Sequence, residues 1–184
     1  MSGKHANRAK GDRRGAADQV IDQPSISDGA AIWRIARDSR KLDLNSSYAY
    51  LMWCHDFADT SAVARVDSDV VGFVIGYRRP TRPDTVVVWQ IAVDASQRGR
   101  GTAGELLDAL VGRLTEQGVR HLETTITPDN AASNALFASL AKRWGTTMDR
   151  AGTFEAGEFP DEHESEIRFR IGPFPAASGV RAAS

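Results

Sequence analysis

The stretch that decides the fold of this chain reads Trp89-Gln-Ile-Ala-Val-Asp94, then Ala-Ser-Gln, then Arg98-Gly-Arg-Gly-Thr-Ala-Gly-Glu-Leu-Leu107. An apolar run, a short polar turn and an amphipathic segment predict a strand, a loop and a helix in that order. The glycines let backbone N–H groups converge on an anion, and the helix start adds the positive end of its dipole. With the charges of Arg98 and Arg100, the stretch predicts a phosphate-binding loop in front of a helix.

Two known nucleotide-binding patterns can be tested against this loop. Residues 99–104 fit the G-x-G-x-x-G fingerprint of dinucleotide-binding folds. In those folds the first glycine follows the strand directly, and an acidic residue about 20 positions later binds the ribose. Here four residues separate the strand from the glycines, and Glu123 falls early in the next apolar run. A P-loop needs Gly-Lys followed by Ser or Thr, a triplet that the sequence lacks.

The alternative pattern is Arg98-x-x-Gly101-x-Ala103, which resembles the pyrophosphate loop of the GNAT superfamily of N-acetyltransferases. This resemblance implies an acetyl-CoA site without a metal, in which backbone N–H groups of residues 99–104 bind the pyrophosphate and residues 90–93 run beside the pantetheine. A surface turn with solvated arginines is the competing interpretation, and the strand before and helix after the loop argue against it. The implied cofactor-binding residues are Ile91, Ala92, Val93, Arg98, Gly99, Arg100, Gly101, Thr102, Ala103, Asn130 and Asn134.

Composition limits the class of protein. A chain of 184 residues suits one domain with a sizeable core, and a formal charge of −1 argues against nucleic acid or a membrane surface as its main partner. The single cysteine, Cys54, excludes an internal disulfide, and its apolar surroundings predict a packed thiol. The sequence has no apolar run of about 18 residues, and its basic start lacks the apolar core of a secretion signal. We therefore expect a cytoplasmic protein.

Periodicity and turn residues divide the chain into a polar arm (1–23), one domain (24–172) and a polar tail (173–184), both termini being expected to be unstructured. The predicted helices are 27–40, 46–57, one ending at 117–118, and one capped by Asn130; the predicted strands are 61–66, 70–77, 85–94, 121–127, 147–154 and 165–171. Two prolines predict a loop over 79–84, and strand 85–94 is expected to be buried on both faces. This order matches the α/β acyl-CoA N-acyltransferase (GNAT) fold, a single mixed twisted sheet with helices on both faces. The resemblance implies a splay between the central strand and the next one, where the acetyl thioester lies.

Three further motifs narrow the resemblance over residues 24–172. The segment Asp43-Leu-Asn-Ser-Ser-Tyr48, the strand starting at Trp89, and His163-Glu-Ser-Glu166 with the Thr127 to Asn134 segment resemble the diaminobutyrate acetyltransferases of ectoine biosynthesis. The resemblance implies acetyl transfer to the 4-amino group of L-2,4-diaminobutyrate and a homodimer. The implied substrate-binding residues are Asp43, Asn45, Ser46, Tyr48, Trp89, Thr127, His163 and Glu166.

The chemistry can be checked against these residue types. An alkyl ammonium must lose a proton before it attacks a thioester, so a carboxylate or a water chain has to receive that proton. We expect Asp43 to be the base, with Glu166 second and His163 orienting Glu166 or relaying a proton. Backbone N–H groups of the central strand would stabilise the developing oxyanion. Many GNAT enzymes protonate the departing thiolate with a tyrosine where this chain has Phe137, so the resemblance names no general acid here.

Simpler interpretations remain beside these. Asp43 could cap the helix that starts near Ser46, Trp89 could be core, and His163 and Glu166 could belong to a solvated acidic run. At the level of function, an acetyltransferase for another amine and a non-catalytic sensor of acetyl-CoA or a dinucleotide are the alternatives.

Overall fold

The computed structural model describes residues 19–176. They contain four α-helices and one seven-stranded sheet, whose strands lie in the order β1-β2-β3-β4-β5-β7-β6. The strands are β1 (Gln19–Asp22), β2 (Ala62–Val66), β3 (Asp69–Arg79), β4 (Arg82–Val93), β5 (His121–Ile126), β6 (Thr147–Phe154) and β7 (Glu166–Gly172). The helices are α1 (Gly29–Ser39), α2 (Ser47–Asp56), α3 (Thr102–Glu116) and α4 (Ala131–Arg143). β4 and β5 are parallel and all other neighbours are antiparallel, so the predicted mixed α/β sheet is confirmed.

Helices cover the two faces of the sheet unequally. On one face, α1 and α2 pack on β2 and β3 through Ile32, Ile35, Tyr50 and Phe73. On the other face, the leucines of α3 recur at helical spacing and pack with α4 over the rest of the sheet. The α1/α2 face of β5 and β7 therefore stays open to a cavity.

The splay between β4 and β5 positions that cavity. The ladder joins the two strands only from Thr85 opposite His121 to Val87 opposite Glu123. Beyond Val87, Val88 and residues 90–93 of β4 pair with β3 on one side, and Trp89 lies in a bulge. Among residues 19–176, no strand pairs with the other edge of this segment. The predicted splay is confirmed, and it leaves a row of backbone N–H and C=O groups available to a ligand.

Both predicted domain boundaries need correction. Gln19–Asp22 is strand β1, paired antiparallel with β2, so the first ordered element begins before residue 24. Beyond residue 172, the Phe174 side chain is fully buried beside Trp144. Ile21 anchors the first segment and Phe174 the second by packing in the core. One apolar residue is too few to form a periodic pattern in the sequence. Residues 1–18 and 177–184, the rest of the predicted arm and tail, lie outside the described residues.

The predicted loop over 79–84 is also wrong. β3 and β4 are joined by a two-residue turn, and Arg79 already pairs with Arg82. The register then jumps, because Arg78 pairs with Val86, so residues 83–85 form a bulge. Pro83 lies in that bulge and needs no ladder hydrogen bond, which is why a proline is tolerated there.

Each helix of residues 19–176 is too short or too polar to cross a membrane.

Candidate active site

A cavity of about 420 Å³ lies at the splay. Its walls come from β3, β4, β5, β7, the end of β6, the first two turns of α4 and the two segments around Asp43 and Phe159. Seven sequence-predicted residues line it: Asp43, Trp89, Ile91, Thr127, Asn130, His163 and Glu166. Asp43 and Glu166, 123 positions apart in the chain, thus meet at one cavity.

Other predicted substrate residues lie elsewhere. Ser46 caps α2, its hydroxyl accepting the N–H of Ala49 at 3.3 Å. Tyr48 follows on the outer surface of α2 with 67% of its area exposed. Neither these residues nor Asn45 line the cavity within this chain, because the helix start turns them away from it.

His163 is held between two hydrogen-bond acceptors. Its Nδ1 donates to the Glu164 carbonyl at 2.7 Å, and its Nε2 donates to Asp43 Oδ2 at 3.2 Å. The imidazole also stacks on Phe159, with ring centroids 4.3 Å apart. The Glu164 carbonyl and then the Asp43 carboxylate raise the pKa of His163. Since both neighbours only accept, the geometry favours the imidazolium ion.

Glu166 differs from Asp43 in its surroundings. Burial raises the pKa of Glu166, and a hydrogen bond from Thr125 and the charge of His163 only partly offset this. The Asp43 side chain is 87% exposed and already paired with His163. A half-buried carboxylate with a raised pKa accepts a proton more readily than a solvated one. Burial therefore makes Glu166 a candidate proton acceptor, although the sequence placed Asp43 first.

Trp89 forms an aromatic wall of the cavity. Its ring stacks on that of Trp53, with the ring centroids 6.3 Å apart, and 54% of the Trp89 surface is exposed. The expectation that this strand is buried on both faces is thus wrong at Trp89, because β4 is uncovered where the cavity opens.

Gln90 has a role that sequence analysis missed. Its side chain is buried, accepts from the Tyr50 hydroxyl at 3.0 Å and donates to the Asp43 carbonyl at 2.7 Å. These bonds fix the segment carrying Asp43 against β4. A glutamine inside an apolar strand was the available signal, because a buried amide requires partners.

The loop before α3 is shaped for an anion. Gly99 and Gly101 have φ values of 75° and 89°, which other residues rarely adopt. Within residues 19–176, no side chain caps α3, so its first N–H groups remain available. Arg98 and Arg100 are exposed, whereas the Thr102 hydroxyl is occupied by Gln19 at 2.7 Å. The backbone of this loop fits a pyrophosphate, but the Thr102 side chain does not face it.

This glycine loop lies outside the cavity, and so do Ala92 and Val93. The open edge of β4 connects the loop to the cavity. At the far side of the splay, Asn130 caps α4 by accepting from the Ser133 N–H at 3.0 Å. Asn134 Nδ2 donates to the Asn130 carbonyl at 3.1 Å, so the amides of both residues are engaged in ordering the start of α4.

Comparison with known proteins agrees with this geometry. Residues 30–141 match the family model for the acetyltransferase (GNAT) family. The L-2,4-diaminobutyric acid acetyltransferase of Streptomyces coelicolor is 56% identical over 87% of this chain and 96% of its own length. The L-2,4-diaminobutyric acid acetyltransferase of Marinococcus halophilus is 48% identical over 87% of this chain and 94% of its own length. The chain belongs to this acetyltransferase family.

A solved structure of the family is also similar. Diaminobutyrate acetyltransferase EctA from Paenibacillus lautus, in complex with its substrate L-2,4-diaminobutyric acid and coenzyme A, has a TM-score of 0.82 and 38% identity. The match covers 89% of this chain and 99% of that one. The ribosomal-protein-S18-alanine N-acetyltransferase of Escherichia coli, at 20% identity and a TM-score of 0.66, shares the fold.

Two side chains limit the chemistry of this family member. Phe137 is 2% exposed and packs in the core, so it offers no hydroxyl at the position where many GNAT enzymes carry tyrosine. Phe137 and Ser133, one helical turn earlier, both line the cavity, and of the two only Ser133 carries a hydroxyl. Cys54 is buried, and burial raises the pKa of its thiol to about 11, which confirms a packed thiol. Among residues 19–176, no three His, Cys, Asp or Glu side chains assemble as a metal site.

Proposed function

We propose that this protein transfers the acetyl group of acetyl-CoA to the 4-amino group of L-2,4-diaminobutyrate, giving N4-acetyl-L-2,4-diaminobutyrate for ectoine biosynthesis. The cavity that joins Asp43, His163 and Glu166 to the open edge of β4 carries this proposal. The names of the S. coelicolor and M. halophilus relatives and the ligands of the P. lautus enzyme support it. The reaction takes place in the cytoplasm, the compartment that supplies acetyl-CoA.

Glu166 receives the proton from the 4-ammonium group. Its raised pKa makes proton acceptance easier, and its half-buried position limits competition from water. Asp43 and the His163 imidazolium form an ion pair at 3.2 Å that orders the cavity mouth. The remaining acceptor positions of the exposed Asp43 carboxylate bind an ammonium group of the substrate.

The free amine then attacks the thioester carbonyl carbon and forms the C–N bond. The C–S bond breaks, coenzyme A leaves as the thiolate, and the proton released from the new amide nitrogen passes to water. Unpaired N–H groups of residues 88–93 on β4 stabilise the charge that develops on the carbonyl oxygen. The positive-φ loop and the uncapped start of α3 hold the pyrophosphate, with Arg98 and Arg100 adding charge. Trp89 forms the wall beside the amine.

A coenzyme-A release assay tests the function. Purified protein is given acetyl-CoA with L-2,4-diaminobutyrate, L-ornithine or L-lysine, and the acetylated product is identified by mass spectrometry. We expect the highest kcat/KM with diaminobutyrate. Absence of turnover, or faster turnover of another amine, would overturn the assignment. Coenzyme-A binding without turnover of any amine would favour a sensor.

We also propose a homodimer. Several large apolar side chains on and near α2 are between 36% and 67% exposed, a concentration unusual for the surface of a monomer; they are Leu44, Tyr48, Leu51, Met52 and Phe57. Light scattering after size-exclusion chromatography should give twice the chain mass of 20.0 kDa. A mass of one chain at micromolar concentration would contradict this proposal.

A further inference from the structure

We propose that Arg168 binds the carboxylate of the amino-acid substrate and thereby selects a diamino acid over a simple diamine. This inference rests on the proposed function, because it names the group that holds the unreactive end of diaminobutyrate. Sequence analysis assigned no role to Arg168, which lies two residues after Glu166 on β7.

Strand geometry places Arg168 and Glu166 on one face. Alternate residues of a strand point to the same side and are about 7 Å apart. Both residues line the cavity. A short diamino acid lying along β7 can therefore present its amine to Glu166 and its carboxylate to Arg168.

The Arg168 guanidinium is held in position by β6. Its Nη2 donates to the Ala151 carbonyl at 2.9 Å, and its Cζ lies 5.3 Å from the centre of the Phe154 ring. Opposite it stands Gly152, where a Cβ would come within 2.7 Å of Nη2. Glycine and a bulge in β6 thus leave room for this side chain.

Its charge has no carboxylate partner among residues 19–176, unlike the other arginines nearby. Arg79 and Arg170 both bind Glu123, at 2.5 and 2.6 Å. Arg168 makes no such pair, and its buried Nε has no hydrogen-bond partner in the described part of the chain. A half-buried guanidinium with free N–H groups is suited to a carboxylate, which accepts two parallel hydrogen bonds.

The charge distribution of the cavity matches the proposed ligand. Asp43 and Glu166 supply negative charge for the ammonium groups, and Arg168 supplies positive charge beside Thr125 of β5. Three further charged residues line the cavity: Arg79 and Glu123 are paired with each other, and Lys41 is exposed. A diamine without a carboxylate would leave Arg168 unpaired. The site therefore discriminates by the group that does not react.

The test compares two amines in two proteins. L-2,4-diaminobutyrate and 1,3-diaminopropane, which is the same chain without the carboxylate, are assayed with the wild type and Arg168→Gln. We expect Arg168→Gln to lower kcat/KM for diaminobutyrate roughly 10- to 100-fold, the usual effect of one charged hydrogen-bonding group, and to change that for diaminopropane less than about threefold. Arg168→Lys should restore part of the loss, because it keeps the charge.

Arg150→Gln is the matched control, since Arg150 is exposed on β6 and lies outside the cavity wall. Equal losses with both amines would overturn the inference. Calorimetric binding of each amine in the presence of coenzyme A gives the same comparison when turnover of diaminopropane is too slow to measure. If the wild type fails to acetylate diaminobutyrate, the proposed function fails; if only the selective loss is missing, the role of Arg168 fails.

Discussion

At the scale of single residues, environment rather than residue type separates the two carboxylates of the site. Asp43 is exposed and paired with His163, while Glu166 is half buried beside Thr125. In the printed sequence both are acidic residues in polar segments. Their burial, which distinguishes them, is a property of the folded chain.

Replacing Glu166 with glutamine should separate activity from stability. We expect Glu166→Gln to lower kcat by about 10²- to 10⁴-fold, the usual contribution of a general base, with acetyl-CoA affinity retained. Because the folded-state pKa of Glu166 is raised, its charge destabilises the folded protein at neutral pH, so Tm should stay constant or rise. In the wild type, kcat should fall as the pH drops through this raised pKa.

Glu162→Gln is the control, since Glu162 is an exposed carboxylate of the same segment. Steady-state kinetics against pH and thermal unfolding measure the two effects. Unchanged kcat in Glu166→Gln, or loss of acetyl-CoA binding, would rule out its role as base.

At the scale of elements, helix α3 has a glycine with positive φ at each end, and only the one at its start lies in the proposed pyrophosphate site. Gly101 precedes the helix and Gly118 follows it, and both have φ of 89°. An added Cβ would meet no atom closer than 3.9 Å at Gly101 and none within 4 Å at Gly118. Alanine therefore imposes similar backbone strain at both ends, about 1–3 kcal/mol.

The two alanine variants should lose similar stability and differ in cofactor binding. We expect Gly101→Ala to raise the KM for acetyl-CoA severalfold, because strain displaces the N–H groups that face the pyrophosphate. Gly118→Ala should leave that KM near the wild-type value. Urea unfolding and initial-rate kinetics provide the measurements, and an equal KM in both variants would contradict a coenzyme-A site at the start of α3.

At the scale of the whole molecule, Glu123 ties together the strands around the splay. Its side chain is 8% exposed and accepts hydrogen bonds from Arg79, Arg82 and Arg170, on β3, β4 and β7. Burial alone would raise the pKa of Glu123, but these arginines, Arg170 first, hold it below the ordinary value. The Glu123 carboxylate, which lies at about the spacing of a ribose ligand from the glycine loop, instead joins strands of the sheet through three arginines.

Glu123→Gln should destabilise the protein by about 3–5 kcal/mol at pH 7, because three guanidinium groups lose their shared counter-ion. A lowered pKa stabilises the fold fully above the unfolded value near 4.5, and this stabilisation is lost as the pH falls through the folded pKa. The difference in free energy of unfolding should therefore shrink in acid. Urea denaturation at several pH values checks this, with exposed Glu116→Gln as control; a pH-independent difference would contradict it.

Local patterns were enough to predict the order of the elements from α1 onward and the glycine loop before α3. Helical spacing of leucines predicted α3, and Gly99 and Gly101 predicted a glycine-rich loop before it, which the structure shows with positive φ at both glycines. The same reasoning failed for β1 and for the turn before β4, where pairing with distant strands outweighed weak or proline-containing local signals.

Tertiary structure alone decided which predicted residues meet. It brought Asp43 to His163, turned Tyr48 outward, and added Gln90 and Arg168, which no motif had singled out. These outcomes depend on burial and on contacts between segments far apart in the chain, whose energies no local pattern contains. The physical reason is that secondary structure follows from neighbours in sequence, whereas charge, pKa and pocket shape follow from neighbours in space.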